Sequence, residues 1–184
     1  RKQEVRVQET TTTMGFKLPK FYHYPPYFCY QTNANTLNKQ LAVWGKFVLQ
    51  YCQHKKLYAL TPAQAIKTIL FTNPKIKRSC PPALVAAILD HLVTLKRAHW
   101  TDKKKTHCLI YWRTPDEWAD LIYTKVDSEG RQNTVTSLFD IREGEFAEGE
   151  EFEEINEDVL RKALKVLVKR GKAEIFGEED SEGV

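Results

Sequence analysis

Five histidines, four cysteines and a dense run of glutamates are the residues of this 184-residue chain with ligating or proton-transferring chemistry. Their spacing does not gather them into a site. Cys52-Gln53-His54 and His107-Cys108 are isolated pairs, whereas a structural zinc site needs four ligands at recurring short spacings. His23, His91 and His99 have no cysteine or carboxylate at ligand spacing. Cys29, Cys52, Cys80 and Cys108 stand singly, which suits thiols of a reducing compartment better than a disulfide framework. Glu148, Glu150, Glu151, Glu153 and Glu154 could crowd a cation, but the run lacks turn-forming glycine at the positions a calcium loop requires and reads as a solvated acidic loop. There is no Gly-rich phosphate loop, G-x-S-x-G elbow or H-E-x-x-H. The expectation is no enzyme, no metal and no cofactor.

The residue types that are concentrated belong to binding. Residues 16–30 read FKLPKFYHYPPYFCY, and ten of these fifteen are aromatic or proline. Proline fixes φ and removes a backbone donor, so the segment is expected to be extended or polyproline-like. So aromatic a surface does not stay in water. It packs either on its own domain or on a partner, and the partner is favoured because aromatic anchors dominate binding sites.

The elements that must carry this segment follow it. Thr36 is read as a cap for a helix with Leu37, Leu41, Trp44, Val48 and Tyr51 on one face, ending about His54. LYALT (57–61) is strand-like, residues 62–70 a short helical piece, and Asn73-Pro74 a loop. Pro81-Pro82 opens a helix through Leu95, then AHWT and CLIYW flank a polar turn at residues 102–105. Helix, strand, helix, helix and a basic-tipped hairpin is the order of a winged helix. It begins again at Thr114-Pro115-Asp116-Glu117, a capping box. TVTSLFDI (134–141) reads as a strand, residues 143–154 as the acidic loop, Asn156 to Arg170 as a helix stopped by Gly171, and KAEIF (172–176) as a last strand. Trp44, Trp100, Trp112 and Trp118 are assigned to cores and to the junction between domains. The fold class expected is α+β: two tandem winged-helix domains, 34–113 and 114–184, behind a docking segment at 16–33 and a disordered leader at 1–15.

Charge separates the halves. Residues 1–113 carry 19 Lys/Arg against 4 Asp/Glu, a net of +15, and residues 114–184 carry 9 against 20, a net of −11. The alternative function is therefore a winged-helix nucleic-acid-binding protein. Against it, Ala83, Ala87, Asp90, His91 and Thr94, the exposed face of the first domain's third helix, include no Arg, Lys, Asn or Gln, and base readout would need such residues near the helix start. The Arg161, Lys162, Lys165 and Lys169 face of the second is explained by pairing of Glu157 with Arg161 and Asp158 with Lys162. No nucleic acid is expected. No apolar run approaches the ~20 residues of a membrane span.

Three runs carry a family resemblance: TLNKQLAVWGKFVLQYC (36–52), CLIYWRTPDEWADLIY (108–123) and ALKVLVKRGKAEI (163–175). They resemble the small subunit of the ESCRT-II complex, from about Leu18 to the end, with Trp112 to Trp118 the most specific mark. The resemblance implies an adaptor in endosomal multivesicular-body sorting, cytoplasmic and recruited to the endosomal membrane, any membrane contact being indirect. It implies Pro-Pro-x-aromatic motifs that dock on winged-helix domains of the two larger subunits. Leu18, Pro19, Phe21 and Tyr22 match the first motif, with Lys20 in place of its second proline; Tyr24, Pro25, Pro26, Tyr27 and Phe28 match the second. It also implies a second copy of the chain in the complex and recruitment of an ESCRT-III subunit by the second domain, for which Val135, Thr136 and Leu138 are the candidates.

Overall fold

The computed structural model describes residues 12–13 and 16–176. By packing, the chain parts into two compact units, Arg1–Leu57 with Thr61–Leu92, and Tyr58–Leu60 with Val93–Val184. The element order repeats at 113/114, but the packing divides earlier. Strand β3 (Ala59–Leu60) pairs with β7 (Cys108–Ile110), which pairs with β6 (Ala98–Trp100), so this antiparallel sheet belongs to the second unit. Of the expected leader, Thr12–Thr13 (β1) pair antiparallel with Phe16–Lys17 (β2), and the rest lies outside the described residues.

In the first unit, α1 (Ala34–His54) is capped by Asn33, whose side chain accepts from the Thr36 amide at 3.1 Å. The cap is thus three residues earlier than Thr36, which sits inside the first turn; such a cap contributes about 1 kcal/mol. Buried Leu41, Trp44, Phe47, Val48 and Tyr51 recur at three- and four-residue steps, and Leu84, Val85, Ile88 and Leu89 of α3 (Pro82–Thr94) are buried in the same unit. Helix α2 is only Pro62–Ala65, after which the chain turns rather than continuing to Leu70. The loop expected at Asn73-Pro74 is the end of a small hairpin, β4 (Thr72–Asn73) against β5 (Arg78–Ser79).

The second unit is built on α4 (Pro115–Ser128) and α6 (Glu157–Lys169), packed together over a core of Trp118, Ile122, Val159, Leu160, Ala163 and Leu164. Both expected caps form: Thr114 accepts from the Glu117 amide at 3.2 Å while Glu117 accepts from the Thr114 amide at 2.6 Å, and Asn156 accepts from Val159 at 3.3 Å. Gly171 ends α6 at φ 66°.

Three expectations in this unit are corrected. Residues 134–141 are not a strand. Ser137 caps α5 (Leu138–Arg142) by accepting from the Asp140 amide at 3.1 Å, and its hydroxyl meets the Asp140 carboxylate at 2.7 Å. That local capping turns apparent strand alternation into a helical turn. Residues 143–154 are more than a solvated loop. Phe146, Ala147 and Phe152 are buried in the core while the glutamates between them face out or stay at the edge. The turn into this stretch is so close that a side chain on Gly144 would lie 2.7 Å from the Asp140 Cα. Finally, the strand expected at 172–176 does not form: the stretch contributes only an isolated bridge at Phe176.

Candidate functional site

The aromatic–proline segment is not extended. It makes two 3₁₀ turns, Lys20–His23 and Pro25–Phe28, joined at Tyr24 in β conformation. Proline causes this as readily as extension: its fixed φ suits Pro19 as the cap and Pro25 as the first turn residue. The backbone oxygens left over are then bonded by the body of the first unit. Trp44 Nε1 donates to Tyr27 O at 2.9 Å, and Gln40 Nε2 donates to both Tyr27 O and Cys29 O at 2.8 Å. Asn73 Nδ2 donates to Tyr22 O at 2.7 Å, and the Tyr22 hydroxyl reaches the carbonyl oxygens of Ile69 and, at 2.8 Å, Thr72. Burial pushes that hydroxyl's pKa well above its ordinary value.

The ring contacts complete the attachment. Phe21 lies 5.1 Å from Trp44 and from Tyr27, and Phe28 lies 5.3 Å from Trp44 and 5.5 Å from Tyr22, in edge-on or tilted pairs that favour aromatic packing. Tyr22 and Phe28 are therefore core residues of their own unit. Leu18, Pro19, Phe21, Pro25 and Tyr27 are half-buried, and Tyr24 (59% exposed) and Pro26 face solvent. Of the nine candidate docking residues, the structure leaves an outward edge and makes the other residues its support.

The second unit offers a groove of about 820 Å³. Its walls come from the C-terminal half of α4 (Tyr123, Val126), residues 131–136, α6 (Leu167, Val168) and residues 171–176, over a floor that includes Ile141 and Phe146. Val135 is 71% exposed and lines this groove, as do the exposed Val168 and Phe176. Thr136 also lines the groove; Leu138 does not, and packs against the core instead. Sequence reasoning missed the two walls from α4 and α6, whose lining residues Tyr123, Val126 and Leu167 also belong to or pack against the core and so read as core positions.

Of the cationic face expected on α6, Arg161 and Lys162 are engaged, as is Arg170 just beyond it. Arg161 bonds Glu157 at 2.8 Å, and Arg170 bonds Asp116 at 2.9 Å and also Asp120. Lys162 is half-buried and donates to the Tyr111 hydroxyl at 2.6 Å rather than simply pairing with Asp158; burial lowers its pKa, with Asp158 opposing. Among the described residues no cluster of three His, Cys, Asp or Glu could hold a metal, and no helix is long and apolar enough to cross a membrane.

The chain as a whole is similar to known proteins. A family model described as ESCRT-II complex subunit matches residues 21–156. The chain is similar to vacuolar protein-sorting-associated protein 25 of Danio rerio, 39% identical over 171 residues that cover 93% of this chain and 98% of the relative. The Homo sapiens protein of that name is likewise 39% identical, with 93% and 97% covered. In fold, the chain is similar to the crystal structure of subunit VPS25 of the endosomal trafficking complex ESCRT-II, with a TM-score of 0.80 at 26% identity over 90% of this chain and 97% of that one. It is similar also to a chain in the crystal structure of endosomal complex ESCRT-II (VPS22/VPS25/VPS36), with a TM-score of 0.79 over 90% and 97%.

Proposed function

The chain belongs to the ESCRT-II complex subunit family, and from that premise we propose that it is a non-enzymatic adaptor in endosomal vacuolar sorting. It acts in the cytoplasm and is recruited to the endosomal membrane through its complex. Its two winged-helix domains, 34–113 and 114–184, hold two docking surfaces. The aromatic–proline segment binds winged-helix domains of the two larger ESCRT-II subunits, and two copies of the chain enter one complex. The groove lined by Val135 and Thr136 receives a basic helix of an ESCRT-III subunit, which the acidic charge of residues 143–158 attracts.

The observation that carries this reading is the way the segment is held. Tyr22 and Phe28 are each 2% exposed, and their burial fixes Tyr24 and Pro26 facing outward. A preformed aromatic edge avoids the ordering cost that a loose peptide incurs on binding.

The test is co-purification with the two larger subunits. A Tyr24→Ala, Pro26→Ala variant, which leaves the buried anchors intact, should fold and fail to enter the complex. Entry at wild-type stoichiometry would overturn the docking assignment. Phe28→Ala serves as the contrasting control, because it removes a core ring and is expected to lose stability as well as binding.

A further inference from the structure

The loop between β6 and β7 is a stapled turn with three lysines at its apex. The hairpin's last rung pairs Trp100 with Cys108, and Thr101 donates to His107 O at 3.0 Å. Beyond that rung, Asp102 takes up the loop's own donors: the Thr106 amide at 3.0 Å, the Thr106 hydroxyl at 2.5 Å and the His107 amide at 3.1 Å. The Lys105 amide closes onto Asp102 O at 3.2 Å. Lys103, Lys104 and Lys105 are all exposed at the turn, and the Lys105 ammonium lies 5.7 Å from the Trp100 ring centre.

We propose that this tip, Lys103 to Lys105 with Trp100 beneath, is a contact site for an anionic lipid bilayer, independent of the two docking surfaces above. A polar turn at the end of a short hairpin can touch a plane with its apex alone. Lysine suits that encounter, since a compact hydrated charge is drawn to a negative leaflet without needing directional bonds. A half-buried tryptophan beside the charges suits the headgroup layer, where indole rings collect.

The charge around the tip separates a membrane from a nucleic acid. Described residues 93–176 carry 15 Lys/Arg and 17 Asp/Glu, so this unit is not basic as a whole. A nucleic-acid strand binds along a continuous cationic track. The second unit offers an isolated basic point instead, which is what a surface approached end-on requires.

The experiment is flotation of the full chain with phosphatidylcholine vesicles, with and without abundant phosphatidylserine, at low salt. The chain should float only with the anionic vesicles. Each lysine near such a surface strengthens binding about fivefold, so Lys103→Ser, Lys104→Ser, Lys105→Ser together should weaken it about a hundredfold. A control with the same charge loss elsewhere, Lys39→Ser, Lys46→Ser, Lys67→Ser, should stay close to wild type. Asp102→Ala adds positive charge but removes the staple, and should weaken binding. No flotation of the wild type, equal loss in both triple variants, or tighter binding by Asp102→Ala would overturn the proposal. So would binding of a random duplex that depends on Lys103 to Lys105, in place of the vesicles.

Discussion

The indole nitrogen of Trp44, midway along α1, donates at 2.9 Å to the backbone oxygen of Tyr27 in the aromatic–proline segment. Trp44 is fully buried and touches the rings of Phe21 and Phe28 as well. One side chain therefore serves both as core and as the tie that holds the segment in its turns. Trp44→Phe keeps most of the packing and loses the bond. Because Gln40 still serves Tyr27 O, the expected cost is about 1 kcal/mol, with Trp44→Ala costing about 3–5 kcal/mol. Urea unfolding of the two variants measures the difference.

Residues 143–154 yield a sharper prediction, because their composition and their packing disagree. Phe146 and Phe152 sit 5.8 Å apart, both 1% exposed, in a stretch otherwise rich in glutamate. Phe146→Ala or Phe152→Ala should each destabilise the protein by about 3–5 kcal/mol. Glu148→Ala, on an exposed position between them, should stay within about 0.5 kcal/mol. Thermal denaturation followed by near-ultraviolet circular dichroism reads both.

The cap of α4 is tied to the strand side of its unit. Arg97 Nη1 meets Glu117 Oε2 at 3.0 Å, and Glu117 also accepts from the Thr114 amide. Burial pushes the Glu117 carboxyl up, but the Thr114 and Arg97 bonds outweigh it and hold the pKa below its ordinary value. Thr114→Ala should cost about 1 kcal/mol. Arg97→Ala should cost no more than about 1 kcal/mol, since both partners are around a third or more exposed and solvent screens the pair. A double-mutant cycle separates the two contributions.

The hairpin tip should respond to acid. Hydrogen bonding by the Thr106 hydroxyl and amide holds the Asp102 pKa at about 2, below its ordinary 3.8. A carboxyl with a depressed folded pKa supports the structure above the unfolded value and ceases to as pH falls through the folded one. Protection of the Thr106 and His107 amides from hydrogen exchange should therefore be constant above pH 4 and disappear between about 4 and 2. Asp102→Ala should abolish that protection at all pH values.

Two exposed apolar side chains in the second unit allow the groove to be tested against mere stickiness. Val135 lines it, whereas Phe139, 63% exposed, does not. Neither Val135→Ser nor Phe139→Ser should shift stability by more than about 0.5 kcal/mol. On the proposed function, binding of an ESCRT-III subunit's basic helix, followed by calorimetry, should fall for Val135→Ser and persist for Phe139→Ser.

Much of this protein was legible before its structure. The capping box at Thr114, the cap at Asn156 and the stop at Gly171 depend on neighbours within one helical turn, and local chemistry decides them. So does the helix over residues 34–54, whose apolar spacing needs no knowledge of what it packs against. The family could be read for the same reason, from residues close together in the chain. Partners distant in sequence were decided only by the tertiary structure. Residues 16–30 contain the aromatics that demand burial, but nothing local says that Trp44, Gln40 and Asn73 lie where they can bond the carbonyl oxygens of Tyr27, Cys29 and Tyr22. The acidic loop likewise announces its charges, while the burial of Phe146 and Phe152 depends on helices on either side of it in sequence. Composition says what a segment must avoid or find; which surface satisfies it is fixed when long-range packing closes, because burial and hydrogen bonding reward contacts irrespective of sequence distance.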